Sequence, residues 1–118
     1  MDIKTVGVIG AGQMGSGIAH VMAQAGYEVR LHDVAPGAVE RAIGSIAGNL
    51  DRQIAKGRMT EANKAAILSN IHPTPELPAI GACDLIIEAA TEKEVIKQQI
   101  FASLAPHLGK QTILTSNT

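Results

Sequence analysis

From Val6 to Gly17 the chain reads V-G-V-I-G-A-G-Q-M-G-S-G. An apolar run ends in three glycines, Gly10, Gly12 and Gly15, and an amphipathic stretch follows at once. Glycines at this spacing do chemistry by leaving space. Gly10 allows a tight turn, Gly12 lets a charged group approach the backbone, and Gly15 lets a helix pack closely on the preceding strand. The first N–H groups of that helix have no acceptor within it, and its dipole places partial positive charge there. Together these features suit a pyrophosphate, held on the Gly10–Gly15 turn by Gly10, Ala11, Gly12, Gln13, Met14 and Gly15. An acid, Asp33, follows at the end of the next strand, about 20 residues on, where a carboxylate can accept hydrogen bonds from the adenosine ribose. It would repel a 2′-phosphate, which favours NAD over NADP. Arg30 argues the other way, but it sits inside the strand before the acid and carries little weight. The competing reading of Asp33 is a helix N-cap.

Other reactive side chains are less telling. Glu88 and Glu92 could form an acid–base pair, but a strand end and a complement to a helix dipole explain them as well. Lys93 and Lys97 are one helical turn apart, as on a solvated face. His20, His32, His72 and His107 are scattered and, with Cys83, form no metal pattern. Met14 reads as core, although its backbone belongs to the glycine turn. Ser116 lacks the glycine elbow of a hydrolase nucleophile. Its interest is its place at the carboxyl end of a strand.

These residues need a scaffold. Lys4–Ile9 reads as the first strand. The helix after Gly12 carries Met14, Ile18, Val21, Met22 and Ala25 as its apolar stripe, widened by Ala19 and Ala23, and Gly26 ends it. Tyr27–Leu31 is the second strand. Pro36 opens a long helix with Val39, Ile43, Ile46, Leu50 and Ile54 on one face, and Gly57 terminates it. Gly44 and Gly48 weaken that helix and could serve close packing. Thr60 caps a helix through Leu68. Ile71–Thr74 is a third strand, confined to a sheet edge by Pro73, while Pro75 and Pro78 break the stretch after it. Leu85–Ile87 is the fourth strand. Glu92 opens a helix faced by Ile96, Ile100, Leu104 and Leu108, and Gln111–Thr115 is the fifth strand. Alternating strands and helices predict an α/β fold, a Rossmann-type doubly wound parallel sheet of strand order 3-2-1-4-5, truncated after strand 5. The crevice lies between strands 1 and 4, so the turns Gly10–Gly15 and Ala89–Glu92 are expected to face one ligand.

The 118 residues suffice for one domain. With 46% hydrophobic but only 2% aromatic residues, the core must be aliphatic, as in strands buried on both faces. A net charge of −1 gives no electrostatic case for nucleic acid or a membrane surface. No apolar run approaches the roughly 20 residues of a membrane span, and Met1–Lys4 lacks a signal peptide's pattern. Cys83 is the single cysteine, so no internal disulfide forms, and a reducing cytoplasmic setting is expected.

Four segments carry a family likeness: G-A-G-x-M-G-x-G-I-A at Gly10–Ala19, L-D-R-x-x-x-K-G at Leu50–Gly57, I-E-A-A-T-E at Ile87–Glu92 and T-S-N-T at Thr115–Thr118. With Asp33 they resemble the L-3-hydroxyacyl-CoA dehydrogenases, in the manner of the bacterial 3-hydroxybutyryl-CoA enzymes, over the whole chain. The resemblance implies a parent activity oxidising (S)-3-hydroxyacyl-CoA to 3-oxoacyl-CoA with NAD, and a homo-oligomer. Residues 1–118 would be its NAD-binding domain, incomplete and without the helical C-terminal domain. It further implies that Glu92 and Lys97 lie near the nicotinamide half of NAD, while Ala89 is assigned to the cofactor through the crevice turn it opens. Ser116 would contact both nicotinamide and the substrate oxygen, a catalytic position. Lys56 matches a position touching the CoA phosphates, and Asn49 stands where some members have a CoA-contacting serine. The family's catalytic histidine belongs to an H-F-F-N-P segment absent from this sequence, so the chain is expected to bind NAD without turnover. Rival readings are another β-hydroxyacid dehydrogenase with a G-x-G-x-M-G turn, or a non-catalytic nucleotide-binding module that self-associates through an exposed fifth strand.

Overall fold

The computed structural model describes residues 3–89 and the backbone of 113–116. Its elements are β1 (Thr5–Ile9), α1 (Gln13–Gln24), β2 (Glu28–His32), α2 (Ala38–Ala55), α3 (Glu61–Ser69), β3 (Ile71–Pro73), α4 (Leu77–Gly81), β4 (Leu85–Glu88) and β5 (Ile113–Ser116). The strands form one parallel sheet in the order β3-β2-β1-β4-β5. The carboxyl ends of the central strands line up: Ile9 is level with His32 on one side and Glu88 on the other. The expected helix from Glu92 lies outside the described residues.

Alternation along β1 explains how the layers assemble. Val6 and Val8 belong to the larger apolar cluster, with Val29, Leu31, Ala19, Ala23, Ile46, Leu50 and Ile67. Ile9 belongs to the opposite cluster, with Ile80, Cys83 and Ile86. A parallel strand buried on both faces therefore contributes successive residues to different layers. Fully buried side chains such as Leu31, Ile46 and Leu50 contribute about 2 kcal/mol each by leaving water.

Several expectations need correction. The buried face of α1 is Gly15, Ser16, Ala19 and Ala23, not the stripe of large residues. Met14 is 48% and Val21 65% exposed, and Ala25 is exposed too. Small side chains let the helix axis come close to the sheet, and the larger residues are turned outward. Ile18 and Met22 only flank the cluster. The long helix starts at Ala38, not Pro36, because residues 35–38 first form a turn closed by the Ala38 N–H on the Ala35 carbonyl (3.2 Å). Gly37 at the cap has φ +75°, a left-handed conformation that favours glycine. After β3 the prolines do not simply break the chain. Pro78 lies in the first turn of the short helix α4, where its missing N–H is tolerated. A Cβ built on Gly7 would fall 2.8 Å from Ile80 Cγ2, so α4 docks tightly on β1. Gly44 faces open space and Gly48 nearly so; nothing in the structure explains these two glycines. The third helix is capped as expected. Thr60 Oγ1 accepts from the Asn63 N–H (3.1 Å), while Asn63 Oδ1 accepts from the Thr60 N–H (3.2 Å).

Candidate dinucleotide-binding cleft

The strand-to-helix turn is organised by contacts at both ends. The Gly10 N–H donates to the His32 carbonyl (2.7 Å), tying the turn to the end of β2. Gly10 has φ +108°, a conformation that an L side chain would strain. Gly15 is required for a different reason. A Cβ there would fall on the Gly10 carbonyl oxygen, and 2.7 Å from the Gly10 carbonyl carbon. Gly12 differs again: a Cβ on it would meet nothing within 4 Å. It faces the open side of the turn.

That open side is a cleft of about 650 Å³ between α1 and α2. Its lining includes Ala11, Gly12 and Gln13 from the turn, Ser16, Gly17 and His20 from α1, Asp33 after β2, and Arg41, Ser45 and Asn49 from α2. No side chain caps the amino end of α1, and its first turn holds no acid. The amides of Gly12 and Gln13, in the part of a helix that lacks intrahelical acceptors, therefore border the cleft. Helix-terminal amides of this kind suit an anion.

Asp33 stands at the mouth. One carboxylate oxygen accepts from the Ala11 N–H and the other from the Ala35 N–H, each at 2.8 Å. The cap role weighed for it from the sequence is not what it performs, since α2 is capped by Gly37. Instead it ties the glycine turn to the segment after β2. It remains partly exposed, and each carboxylate oxygen can accept a further hydrogen bond.

Of the sequence-predicted site residues, the cleft gathers Ala11, Gly12, Gln13, Asp33 and Asn49. Gly10 and Gly15 support it from behind as buried residues, and Met14 is turned outward. Lys56 does not line it; it follows the last turn of α2. The Ala89 N–H donates to the Ile9 carbonyl (2.8 Å), which sets Ala89 beside the glycine turn. Ser116 ends β5, level with Glu88 of β4. Glu92 and Lys97 lie outside the described residues.

The sequence reading missed four polar lining residues: Ser16, His20, Arg41 and Ser45. Arg41, Ser45 and Asn49 are spaced four apart, one helix face, and that periodicity was the available signal. Among the other histidines, His32 is buried and its Nδ1–H donates to the Thr74 carbonyl (2.9 Å), while exposed His72 pairs with Glu28. Arg30 points away from the cleft, its Nη1 donating to the Ala79 carbonyl of α4 (2.7 Å). Burial pushes the Cys83 thiol up, away from reactivity. Among the described residues no three His, Cys, Asp or Glu side chains converge on a metal position, and no helix is long and apolar enough to cross a membrane.

Known proteins share this arrangement. A family model described as "3-hydroxyacyl-CoA dehydrogenase, NAD binding domain" matches residues 5–118. The 3-hydroxybutyryl-CoA dehydrogenase of Bradyrhizobium diazoefficiens is 47% identical over 116 residues, 98% of this chain and 40% of that protein. The 3-hydroxyadipyl-CoA dehydrogenase of Escherichia coli K12 is 40% identical over 118 residues, 100% of this chain and 25% of the relative. The crystal structure of the (S)-3-hydroxybutyryl-CoA dehydrogenase from Ralstonia eutropha superposes with a TM-score of 0.93 at 39% identity, covering 99% of this chain and 41% of the other. The chain thus spans less than half the length of these relatives. The glycine turn, the acid after β2 and a family match running through the sheet lead to one assignment: the chain belongs to the family of NAD-binding domains of the 3-hydroxyacyl-CoA dehydrogenases.

Proposed function

We propose that this chain holds NAD for a 3-hydroxyacyl-CoA dehydrogenase that oxidises (S)-3-hydroxyacyl-CoA to 3-oxoacyl-CoA. One observation carries the reading. The turn that can take a pyrophosphate and the carboxylate that can take a ribose are joined by a hydrogen bond, Ala11 N–H to Asp33, at the mouth of one cleft. In this reading Gly10–Gly15 receive the pyrophosphate and Asp33 accepts from the adenosine ribose hydroxyls. NAD, when bound, supplies the hydride acceptor. Ala89, Glu92, Lys97 and Ser116 serve the nicotinamide side, with Ser116 also orienting the substrate oxygen. The place of Ser116 at the carboxyl end of a strand supports this. Asn49 and Lys56 are assigned to the CoA side. Residues 1–118 act as one NAD-binding domain, in the cytoplasm and within a homo-oligomer.

The test is a titration of the purified chain with NADH, read by the cofactor's fluorescence. Saturable binding in the wild type, lost in Asp33→Ala, supports the assignment; a wild-type chain that does not bind NADH contradicts it. The 118-residue chain alone is expected to bind and not to turn over 3-hydroxybutyryl-CoA, because its sequence contains no H-F-F-N-P histidine. Oxidation at an ordinary enzymatic rate would refute that part.

A further inference from the structure

We infer that Arg41 sets how strongly this site discriminates between NADH and NADPH, as a latent contact for a 2′-phosphate that Asp33 otherwise repels. The inference rests on the cofactor reading above and adds a residue to it. Among the described side chains lining the cleft, Arg41 is the only permanent cation and Asp33 the only carboxylate. The two flank the same short turn. Asp33 holds its start, through the Ala35 N–H. The Arg41 guanidinium lies back over its end. Arg41 Nη1 is 3.5 Å from the Pro36 carbonyl, and a Cβ on Gly37 would be 3.0 Å from that nitrogen. The glycine at position 37 thus leaves the space the guanidinium uses.

The Pro36 carbonyl is at the outer limit of hydrogen-bonding distance, so the guanidinium is weakly committed. Its donors form a planar fork that suits phosphate oxygens. Asp33, by contrast, is fixed by two short hydrogen bonds. A nucleotide whose ribose meets Asp33 would place a 2′-phosphate near both groups, repelled by one and attracted by the other. Discrimination is then the difference of two opposed terms. Arg30, the cation that the sequence suggested for this role, is committed to the Ala79 carbonyl on the other side of the sheet.

The measured quantity is the ratio of Kd for NADPH to Kd for NADH, from paired fluorescence titrations. In Arg41→Ala the ratio is expected to rise above the wild-type value. In Asp33→Asn, which removes the charge, it is expected to fall by at least about tenfold. Adding Arg41→Ala to Asp33→Asn is expected to restore most of that loss. If Asp33→Asn does not fold, because Ala11 or Ala35 loses its acceptor, Arg41→Ala and Arg41→Glu in the wild-type background decide the matter alone. A ratio that does not respond to Arg41 in a chain that binds NADH overturns this inference and leaves the cofactor reading intact. A wild-type chain that binds neither nucleotide overturns both.

Discussion

Two aspartates hold the two ends of the central strand with the same chemistry, and one of them, Asp33, also lines the cleft between α1 and α2. At the amino end, Asp84 Oδ2 accepts from the Lys4 N–H (2.9 Å), the Thr5 N–H (3.1 Å) and the Thr5 hydroxyl (3.2 Å). Its own N–H returns to Thr5. At the carboxyl end, Asp33 divides its two oxygens between Ala11 and Ala35. Asp84 joins β1 to β4 and collects its donors on one oxygen. Asp33 joins a turn to a turn, keeps acceptor capacity on both oxygens and borders the cavity. A carboxylate satisfied by backbone amides is therefore not yet a functional one. In a parallel sheet, what separates the two is the end of the strand at which they sit.

The strongest way to break this contrast is to destroy the carboxyl-end turn itself. Gly15→Ala places a methyl on the Gly10 carbonyl, and the overlap is expected to cost about 3 kcal/mol of stability, read as a lowered urea midpoint. Next comes exchange of the two acids for alanine. Asp33→Ala is expected to raise the Kd for NADH by at least about tenfold, with some loss of stability because Ala11 and Ala35 lose a charged acceptor. Asp84→Ala is expected to lower Tm and leave the Kd for NADH unchanged. If Asp84→Ala weakened NADH binding as much as Asp33→Ala, the contrast between the two ends would fail.

A smaller effect sharpens it. The Lys4 and Thr5 amides hold the Asp84 carboxyl below the usual carboxylate range. A carboxyl lowered by folding adds stability above its unfolded pKa, about 3.9. That contribution disappears as pH falls through the folded value. Asp84→Asn is accordingly expected to flatten the loss of stability below about pH 4, followed as Tm against pH. The smallest effect concerns neither end. The Asp51–Lys64 ion pair (2.7 Å) lies on the surface between α2 and α3, and Lys64→Ala is expected to leave Tm nearly unchanged.

The turn between β1 and α1 was legible because each of its glycines has its own steric reason, and those reasons survive without a structure. The place of Asp33 beside that turn was legible from its distance along the chain, but its backbone partners were not, since they depend on how two loops meet. The apolar stripe of α1 misled. Gly15, Ala19 and Ala23 were read on the packing face and are buried there, but hydrophobic periodicity could not tell that Met14, Val21 and Ala25 are left exposed. Helix α4 was hidden because prolines read as breakers in sequence, whereas Pro78 in a first turn is compatible with a helix. On the α2 wall of the cleft Asn49 was singled out, but Arg41 and Ser45, at the same four-residue spacing before it, look like any solvated helix face until α1 is set opposite.

Gly15 is glycine for the fold, and in the proposed function Gly12 is glycine for the ligand. Gly12 has φ −76° and open space where a Cβ would stand, so the chain can carry alanine there without strain. The direct measurement is an NADH fluorescence titration of Gly12→Ala beside its thermal unfolding curve. A Tm within a few degrees of wild type is expected, with NADH affinity lowered by at least about tenfold. Undiminished NADH binding in a folded Gly12→Ala chain would contradict it.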